Sequence, residues 1–360
     1  VRIAFVRQRY NPCGGAERFI ERASEALERQ DFEVTLISRK WKEDVSCRVL
    51  GVDPFYLGNL WRDWGFARAA REAWRRGRFD LVQSHERIPG CAVYRAGDGV
   101  HRQWLEHRLA AAGALERARV RLDPYHRYVC AAERAMFEHP GLRAVICNSR
   151  MVRDEVLRHF RIAEAKLHVI YNGVDLAHFR PAPGARGGAP AFLFVGSGFA
   201  RKGLATALEA LARTPGAQLA VAGRDRDAAR YAALAARLGV ADRVRMLGGV
   251  GDVRPLYAAA DCFILPTRYD PFPNAALEAL AMGVPVIVSR NCGAAELVRE
   301  GGNGWTCEAG DAGELARRMA AAADSARSAG VREAARATAE AHGIEAMAER
   351  LVGLYRSLVR

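Results

Sequence analysis

Tyr269 to Ser289, YDPFPNAALEALAMGVPVIVS, is the stretch around which the chain is organised. It follows an apolar run, DCFILPT, turns through two prolines, enters a helix at Asn274 and continues into a second apolar run, PVIVS. Short apolar runs bounded by turn residues read as buried strands, and a strand–helix–strand succession pairs its strands in parallel. Asp270 lies in the turn and Glu278 one turn into the helix. Backbone amides point outward at a helix start and attract phosphate. The stretch reads as half of a nucleotide-sugar site.

The same rhythm fills the second half of the chain. AFLFVGS reads as a strand, followed by GFARKG and a helix from about 204 to 213; AQLAVAGR, a helix over 227–238, VRMLGGV, a short helix near Leu256 and DCFILPT come next. A short strand, WTCE, follows CGAAELV, and helices fill most of the remainder. Arg201 and Lys202 stand in the loop after the first of these strands. Two adjacent cations there suit a diphosphate, the arginine bidentately and the lysine as a point charge. A carboxylate accepts bidentately from a vicinal diol, so Asp270 and Glu278 suit hexose and ribose hydroxyls. Either carboxylate alone could be a solvated helix residue; the pair together argues otherwise. Asp225-Arg226-Asp227 has the D-x-D form of some metal sites but precedes a helix, where Asp227 reads as an N-cap.

In the first half, RIAFVRQ is a strand, NPCGGAE a glycine turn and 16–29 a helix with Ala16, Ile20, Ala23 and Leu27 on its apolar stripe. Gly14 and Gly15 let backbone approach a ligand, or simply make a tight turn; they lack the spacing of a dinucleotide fingerprint. EVTLISR, RVLGV, DLVQSH, CAVYRAGDG, RAVICNS and LHVIYN supply six more strands, with helices over 64–76 and 151–160. Asp98 falls at a strand's carboxyl end, where ligands of parallel sheets bind. It either orients or deprotonates a sugar hydroxyl, or stabilises its own turn. His85 and Glu86 are expected on the same rim, with His101 a turn beyond Asp98. The proline- and glycine-rich stretch 174–190 is the expected linker, dividing 1–173 from 191–343, with a final helix over 344–360.

Composition bounds the partners. Lys and Arg number 54 against 41 Asp and Glu, a net charge of +13, and the chain has only four lysines. Residues 1–170 carry 31 basic and 22 acidic residues, so the excess is concentrated there and suits an anionic partner. No zinc-finger spacing, RNP signature or recognition-helix pattern is present, which places nucleic acid last. Residues 101–138 read as largely helical, broken at Asp123-Pro124, with Trp104, Leu105, Leu109, Leu115, Val120 and Leu122 interleaved with arginines. That pattern fits an interfacial membrane helix or an ordinary amphipathic one. No apolar run reaches the roughly 18 to 20 residues of a membrane span, and VRIAFV followed by RQRY reads as a strand and not as a signal peptide. Eight scattered cysteines without C-x-x-C spacing are expected as reduced, buried thiols of a cytoplasmic protein.

GGAER, the GS-x-x-x-RKG loop and the D-x7-E of YDPFPNAALEALAMGVPVI together resemble the retaining family-4 glycosyltransferases of the GT-B fold, over essentially the whole chain. YNPCGGAERF, GSGFARKG and the chain length resemble the members that add glucose to inner-core heptose of lipopolysaccharide. The resemblance implies two Rossmann-like, doubly wound parallel-sheet domains facing a central cleft, the first binding acceptor and the second the UDP-sugar. It also implies that 344–360 closes back on the first domain. By the same resemblance Arg201 and Lys202 bind the diphosphate, Glu278 the ribose and Asp270 the transferred sugar. Amides of Gly14 and Gly15 approach the phosphate, and the base stacks near Gly249-Val250. Phe272, Asn274 and Ala275 complete the donor pocket, and Asp98 matches the acceptor side loosely. Asp270 is a methylene shorter than the glutamate of the commoner E-x7-E, and Pro273 removes a backbone donor where many members have glycine. Glu17 varies among relatives and receives no role.

The implied mechanism needs no metal or cofactor: cations and helix amides stabilise the departing UDP, and the acceptor attacks from the leaving-group face. The expected setting is the cytoplasmic face of an anionic inner membrane. Alternatives are a UDP-GlcNAc-dependent transferase of the same family, a UDP-sugar epimerase on the same fold, and a noncatalytic sugar-nucleotide-binding module.

Overall fold

A computed structural model describes residues 1–9, 20, 23–25, 27–41, 47–110, 112–182 and 188–359. Two compact units divide the chain: Val1–Gly173 with Ile344–Arg360, and Val174–Gly343.

The first unit is built on seven parallel strands: β1 (Arg2–Val6), β2 (Glu33–Ser38), β3 (Arg48–Gly51), β4 (Leu81–Ser84), β5 (Val93–Arg95), β6 (Ala144–Cys147) and β7 (Leu167–Val169), in the order β3-β2-β1-β4-β5-β6-β7. Ile3, Ala4, Phe5 and Val6 are all fully buried, as a central strand covered on both faces requires. Side chains alternate faces along a strand. Accordingly Ala4 and Val6 join one core with Phe66, Trp74, Tyr94 and Phe137. Ile3 and Phe5 join the other with Leu36, Val93 and Ile146.

The last helix, Ile344–Val359, covers that second face. Met347, Leu351, Leu354 and Tyr355 recur at helical spacing and are buried there. The Tyr355 hydroxyl donates to Gln83 Oε1 in β4 at 2.5 Å, tying the chain terminus to the centre of the sheet. The helical stretch expected over 101–138 is three helices, His101–Ala110, Ala114–Leu122 and Pro124–Phe137. Its second break is where expected: Asp123 caps the last helix by accepting from Tyr125 N, with Pro124 at the first helical position.

In the second unit, β8 (Ala191–Val195), β9 (Gln218–Ala222), β10 (Val244–Gly248), β11 (Cys262–Leu265), β12 (Val286–Ser289) and β13 (Gly304–Cys307) form a parallel sheet ordered β10-β9-β8-β11-β12-β13. The chain runs outward from β8 to β10, then returns to β11 and runs the other way. This reversal makes β8 and β11 the switch point, whose carboxyl ends are where ligands of such sheets bind. Of the stretch expected as a linker, 174–182 and 188–190 fall in the second unit. Val174 N donates to His342 O at 3.0 Å, and Arg336 Nη1 holds the carbonyls of Phe179 and Ala281, each at 2.8 Å.

Candidate functional site

The loops leaving β8 and β11 touch. Gly203, at φ +81°, lies so close to the second loop that a Cβ there would come within 1.9 Å of the Pro266 carbonyl oxygen; only glycine permits that approach. Two donors from the β11 loop grip the Arg201 carbonyl: Arg268 N at 2.8 Å and Thr267 Oγ1 at 2.9 Å. Thr267 is itself held, its carbonyl accepting from Ser289 Oγ of β12 at 2.5 Å.

This stitching brings Arg201, Lys202 and Asp270 into one ion cluster. Arg201 Nη1 donates to Asp270 Oδ2 at 3.1 Å and to the Tyr269 carbonyl at 3.0 Å, and Lys202 Nζ donates to the same Asp270 oxygen. Asp270 is 5% exposed. Burial alone would push its carboxyl up, but the charges of Lys202 and Arg201, with their hydrogen bonds, hold it below the ordinary carboxylate value. Its backbone is fixed as well, Asp270 N donating to Asn291 O and Gly293 N to Asp270 O. The Arg201 side chain remains 40% exposed against 12% for Lys202, so its guanidinium also reaches solvent. The expected division of labour, cations for phosphate and Asp270 for sugar, thus joins groups that are already bonded to each other.

Glu278 is buried on the helix Asn274–Ala281, where the Tyr257 hydroxyl shares its one proton between the Ala275 carbonyl at 3.0 Å and Glu278 Oε2 at 3.3 Å. Tyr257 carries no motif in the sequence, and only its tertiary position reveals it. Pro273 occupies the cap position without a side-chain cap, leaving the amides of half-buried Asn274 and Ala275 at the helix start; Phe272 is buried beside them. Gly249 and Val250 follow β10. The cap reading of Asp227 is corrected: it precedes the helix Ala228–Arg237, but its side chain makes no capping bond. Asp225 does the bonding instead, accepting from Asp227 N at 2.9 Å and from Phe199 N at 2.7 Å. Among the described residues, no group of three or more His, Cys, Asp or Glu side chains is placed to hold a metal ion.

Asp98 belongs to the first unit, where it lines a cavity of about 290 Å³ together with Arg7, Asp63, Glu86, Arg87 and Tyr125. Arg7 Nη1 lies 3.3 Å from Asp98 Oδ2 and 3.4 Å from Glu86 Oε1. Asp63 accepts from Arg62, Gln8 and Tyr125 at 2.7, 3.2 and 2.9 Å. Neighbours brace the turn bearing Asp98: Asn148 Nδ2 holds the Gly97 carbonyl at 3.1 Å and Arg87 Nη2 that of Gly99 at 3.2 Å. Arg87 is in turn paired with Glu133, fully buried, which also accepts from His101 N at 2.8 Å. Arg87 and Glu133 escape the sequence reading because they lie on separate elements 46 positions apart. The rim assignment holds for Glu86 but not for His85, which is buried against Phe5 and bonded to Gln83. Burial holds its imidazole well below the ordinary value. His101 faces His126 at 3.2 Å and is pushed down to about 3, chiefly by burial. Gly14, Gly15 and Glu17 lie outside the described residues.

The cluster predicts a pH dependence. Because the folded Asp270 carboxyl titrates below its unfolded value, its stabilisation is fully present above the ordinary carboxylate range and is lost as pH falls through the folded value. Asp270→Asn should therefore unfold at a lower temperature than the parent at about pH 7, with the gap closing below about pH 4. A gap independent of pH in thermal unfolding would contradict the ionised cluster.

A Glycosyltransferase Family 4 model matches residues 13–178, and a Glycosyl transferases group 1 model matches residues 177–340. The lipopolysaccharide glucosyltransferase WaaG of Escherichia coli (strain K12) is 26% identical over 318 residues, 83% of each protein. The lipopolysaccharide core biosynthesis glycosyltransferase LpsE of Rhizobium meliloti (strain 1021) is 39% identical over 129 residues, 36% of this chain and 38% of that protein. The crystal structure of WaaG, a glycosyltransferase involved in lipopolysaccharide biosynthesis, matches with a TM-score of 0.83 at 24% identity, covering 98% of this chain and 99% of that one. HepE of Anabaena in complex with UDP-glucose matches with a TM-score of 0.77 at 20% identity, covering 99% of both chains. These structural likenesses show the fold, two parallel Rossmann-like sheets of the GT-B kind. With one family model ending where the other begins, on that fold, the chain belongs to the family 4, group 1 glycosyltransferases.

Proposed function

We propose that this glycosyltransferase moves glucose from UDP-glucose to a hydroxyl in the heptose region of a lipopolysaccharide core, with retention of anomeric configuration. The observation that carries the reading is the Arg201–Lys202–Asp270 cluster at the β8/β11 switch point. Two cations held there by one carboxylate suit a ligand whose diphosphate takes the charge and whose hexose takes the carboxylate. The donor and acceptor assignment is supported by the likeness to lipopolysaccharide glycosyltransferases and to a fold relative solved with UDP-glucose.

In this scheme the bond between the anomeric carbon and the diphosphate oxygen breaks as the acceptor oxygen bonds to the same face of that carbon. The acceptor's proton passes to the departing phosphate. Arg201 and Lys202 stabilise the charge that develops there, usually the largest catalytic contribution. Charge-assisted hydrogen bonds of this type are worth roughly 1.5–3 kcal/mol each. Asp270 holds hexose hydroxyls, and Glu278, oriented by Tyr257, holds the ribose diol. Amides of Asn274 and Ala275, with Phe272, close the donor pocket, and Gly249 and Val250 face the base. In the first unit, Asp98 and the carboxylates and arginines around it offer the paired donors and acceptors that vicinal hydroxyls need, and position the acceptor sugar.

A peripheral place on the cytoplasmic face of an anionic inner membrane fits this acceptor. No helix among the described residues is long and apolar enough to cross a membrane. The helix Gly58–Gly77 lends Arg62, Asp63 and Phe66 to the cavity, while Trp61 and Trp64, with Phe55 and Leu57 just before it, are exposed. Leu115 and Leu122 are exposed alongside Arg117, Arg119 and Arg121, whereas Val120 of the expected interfacial stripe is buried. Exposed aromatic rings beside arginines suit a headgroup interface.

Lys202→Ala should lower transfer of labelled glucose from UDP-glucose to a heptose-terminated core acceptor by about 10²-fold or more. Near-parental transfer would remove Lys202 from the mechanism, and isomerised nucleotide sugar formed without acceptor would make the protein an epimerase. Replacing Trp61 and Trp64 together by alanine should release the protein from anionic vesicles in sedimentation, and neutralising Arg117, Arg119 and Arg121 should flatten the salt dependence. Unchanged sedimentation in both would make these surfaces structural only.

A further inference from the structure

We propose that Arg224 is the shelf on which the donor's pyrimidine base stacks, a role that rests on the UDP-sugar reading above. At the carboxyl edge of β8, β9 and β10 the backbone is drawn tightly together. Gly196 N donates to Ala222 O at 2.9 Å and Gly223 N to Gly248 O at 2.7 Å. Gly223 sits at φ +151°, and a Cβ there would fall 2.1 Å from the Gly196 carbonyl oxygen. The first side chain this edge can carry after β9 is therefore that of Arg224.

Its path is specific. A Cβ on Gly249 would lie 2.2 Å from Arg224 Nε and 2.9 Å from both Cγ and Cδ, so the arginine lies flat across the glycine. Arg224 is nonetheless exposed. Among the described residues its guanidinium makes no hydrogen bond or ion pair, whereas Arg226 lies 3.7 Å from Asp227 and Arg254 lies 2.8 Å from Asp252. The next residue, Asp225, is bonded to the amide of Phe199, which opens the short helix containing Arg201 and Lys202. One loop thus fixes Arg224 relative to the diphosphate cations and lays it over Gly249, on the edge assigned to the base.

A guanidinium is planar, delocalised and weakly hydrated, and it stacks on aromatic faces where an ammonium does not. Nucleic-acid-binding proteins use arginine planes in this way against splayed bases. Gly249 is required because any side chain there would push the arginine off its seat. Arg224 is a specificity-determining residue that senses the presence of a base.

Calorimetric titration of the full chain with UDP and, separately, with inorganic pyrophosphate tests this. Arg224→Ala should weaken UDP binding roughly tenfold or more and leave pyrophosphate binding within about twofold. Arg224→Lys, which keeps the charge and loses the plane, should behave like the alanine variant, and Gly249→Ala should weaken UDP in the same way. Equal losses for UDP and pyrophosphate, or recovery of UDP binding in Arg224→Lys, would make Arg224 a third phosphate cation and overturn the proposal. Unchanged UDP binding in Arg224→Ala would overturn it alone, whereas a parent protein that does not bind UDP would sink the donor reading itself.

Discussion

A carboxylate that is 5% exposed stays ionised only when positive charge stands against it, and Asp270 has two such neighbours on one of its oxygens. Most of the second unit can be read as the apparatus that keeps this arrangement in place. The β8 and β11 loops converge through Gly203. Arg268 and Thr267 hold the Arg201 carbonyl, and Asn291 and Gly293 hold the backbone of Asp270. The cations are held by a protein carboxylate, so on the donor reading proposed above a diphosphate would find them already positioned but would have to share them with Asp270. Cations fixed in place in advance are the electrostatic preorganisation that the proposed transfer would use.

The first unit uses the same principle with more arginines. Glu133, fully buried, keeps Arg87 in place, and Arg87 braces the turn that carries Asp98. Asp63 is bonded by three separate donors. Charges in this cavity are largely paired with one another, which suits a neutral polyhydroxyl ligand better than a bare phosphate. The helix Gly58–Gly77 that lends Asp63 to this cavity also carries the exposed Trp61 and Trp64, so the proposed acceptor site and the proposed membrane contact would share one element.

Architecture was largely legible in the chain because buried parallel strands write themselves as short apolar runs between turns. DCFILPT and PVIVS became β11 and β12, and the restart of the rhythm at AFLFVGS became β8. Local chemistry was legible in part: glycine and proline mark turns by type, whereas Arg201 and Lys202, expected in a loop, lie in the short helix Phe199–Lys202. What could not be read was contact between distant positions. Asp270 and Lys202 are 68 positions apart and Glu133 and Arg87 are 46 apart, and nothing periodic links them. Trp61 lies outside the helix expected over 64–76, and only the fold, with its helix Gly58–Gly77, shows that Trp61 and Trp64 are both exposed on one element. Asp227 looked like a cap because residue type and position agreed, yet Asp225 took the bonds.

On the donor assignment proposed above, Asp270 would compete with the diphosphate for Arg201 and Lys202 while serving the sugar. Measuring UDP affinity and glucose turnover together for Asp270→Asn tests it most directly. The prediction is UDP binding as tight as in the parent or tighter, because the cations lose an internal partner, with turnover reduced by about a hundredfold. Weaker UDP binding with undiminished turnover would contradict it.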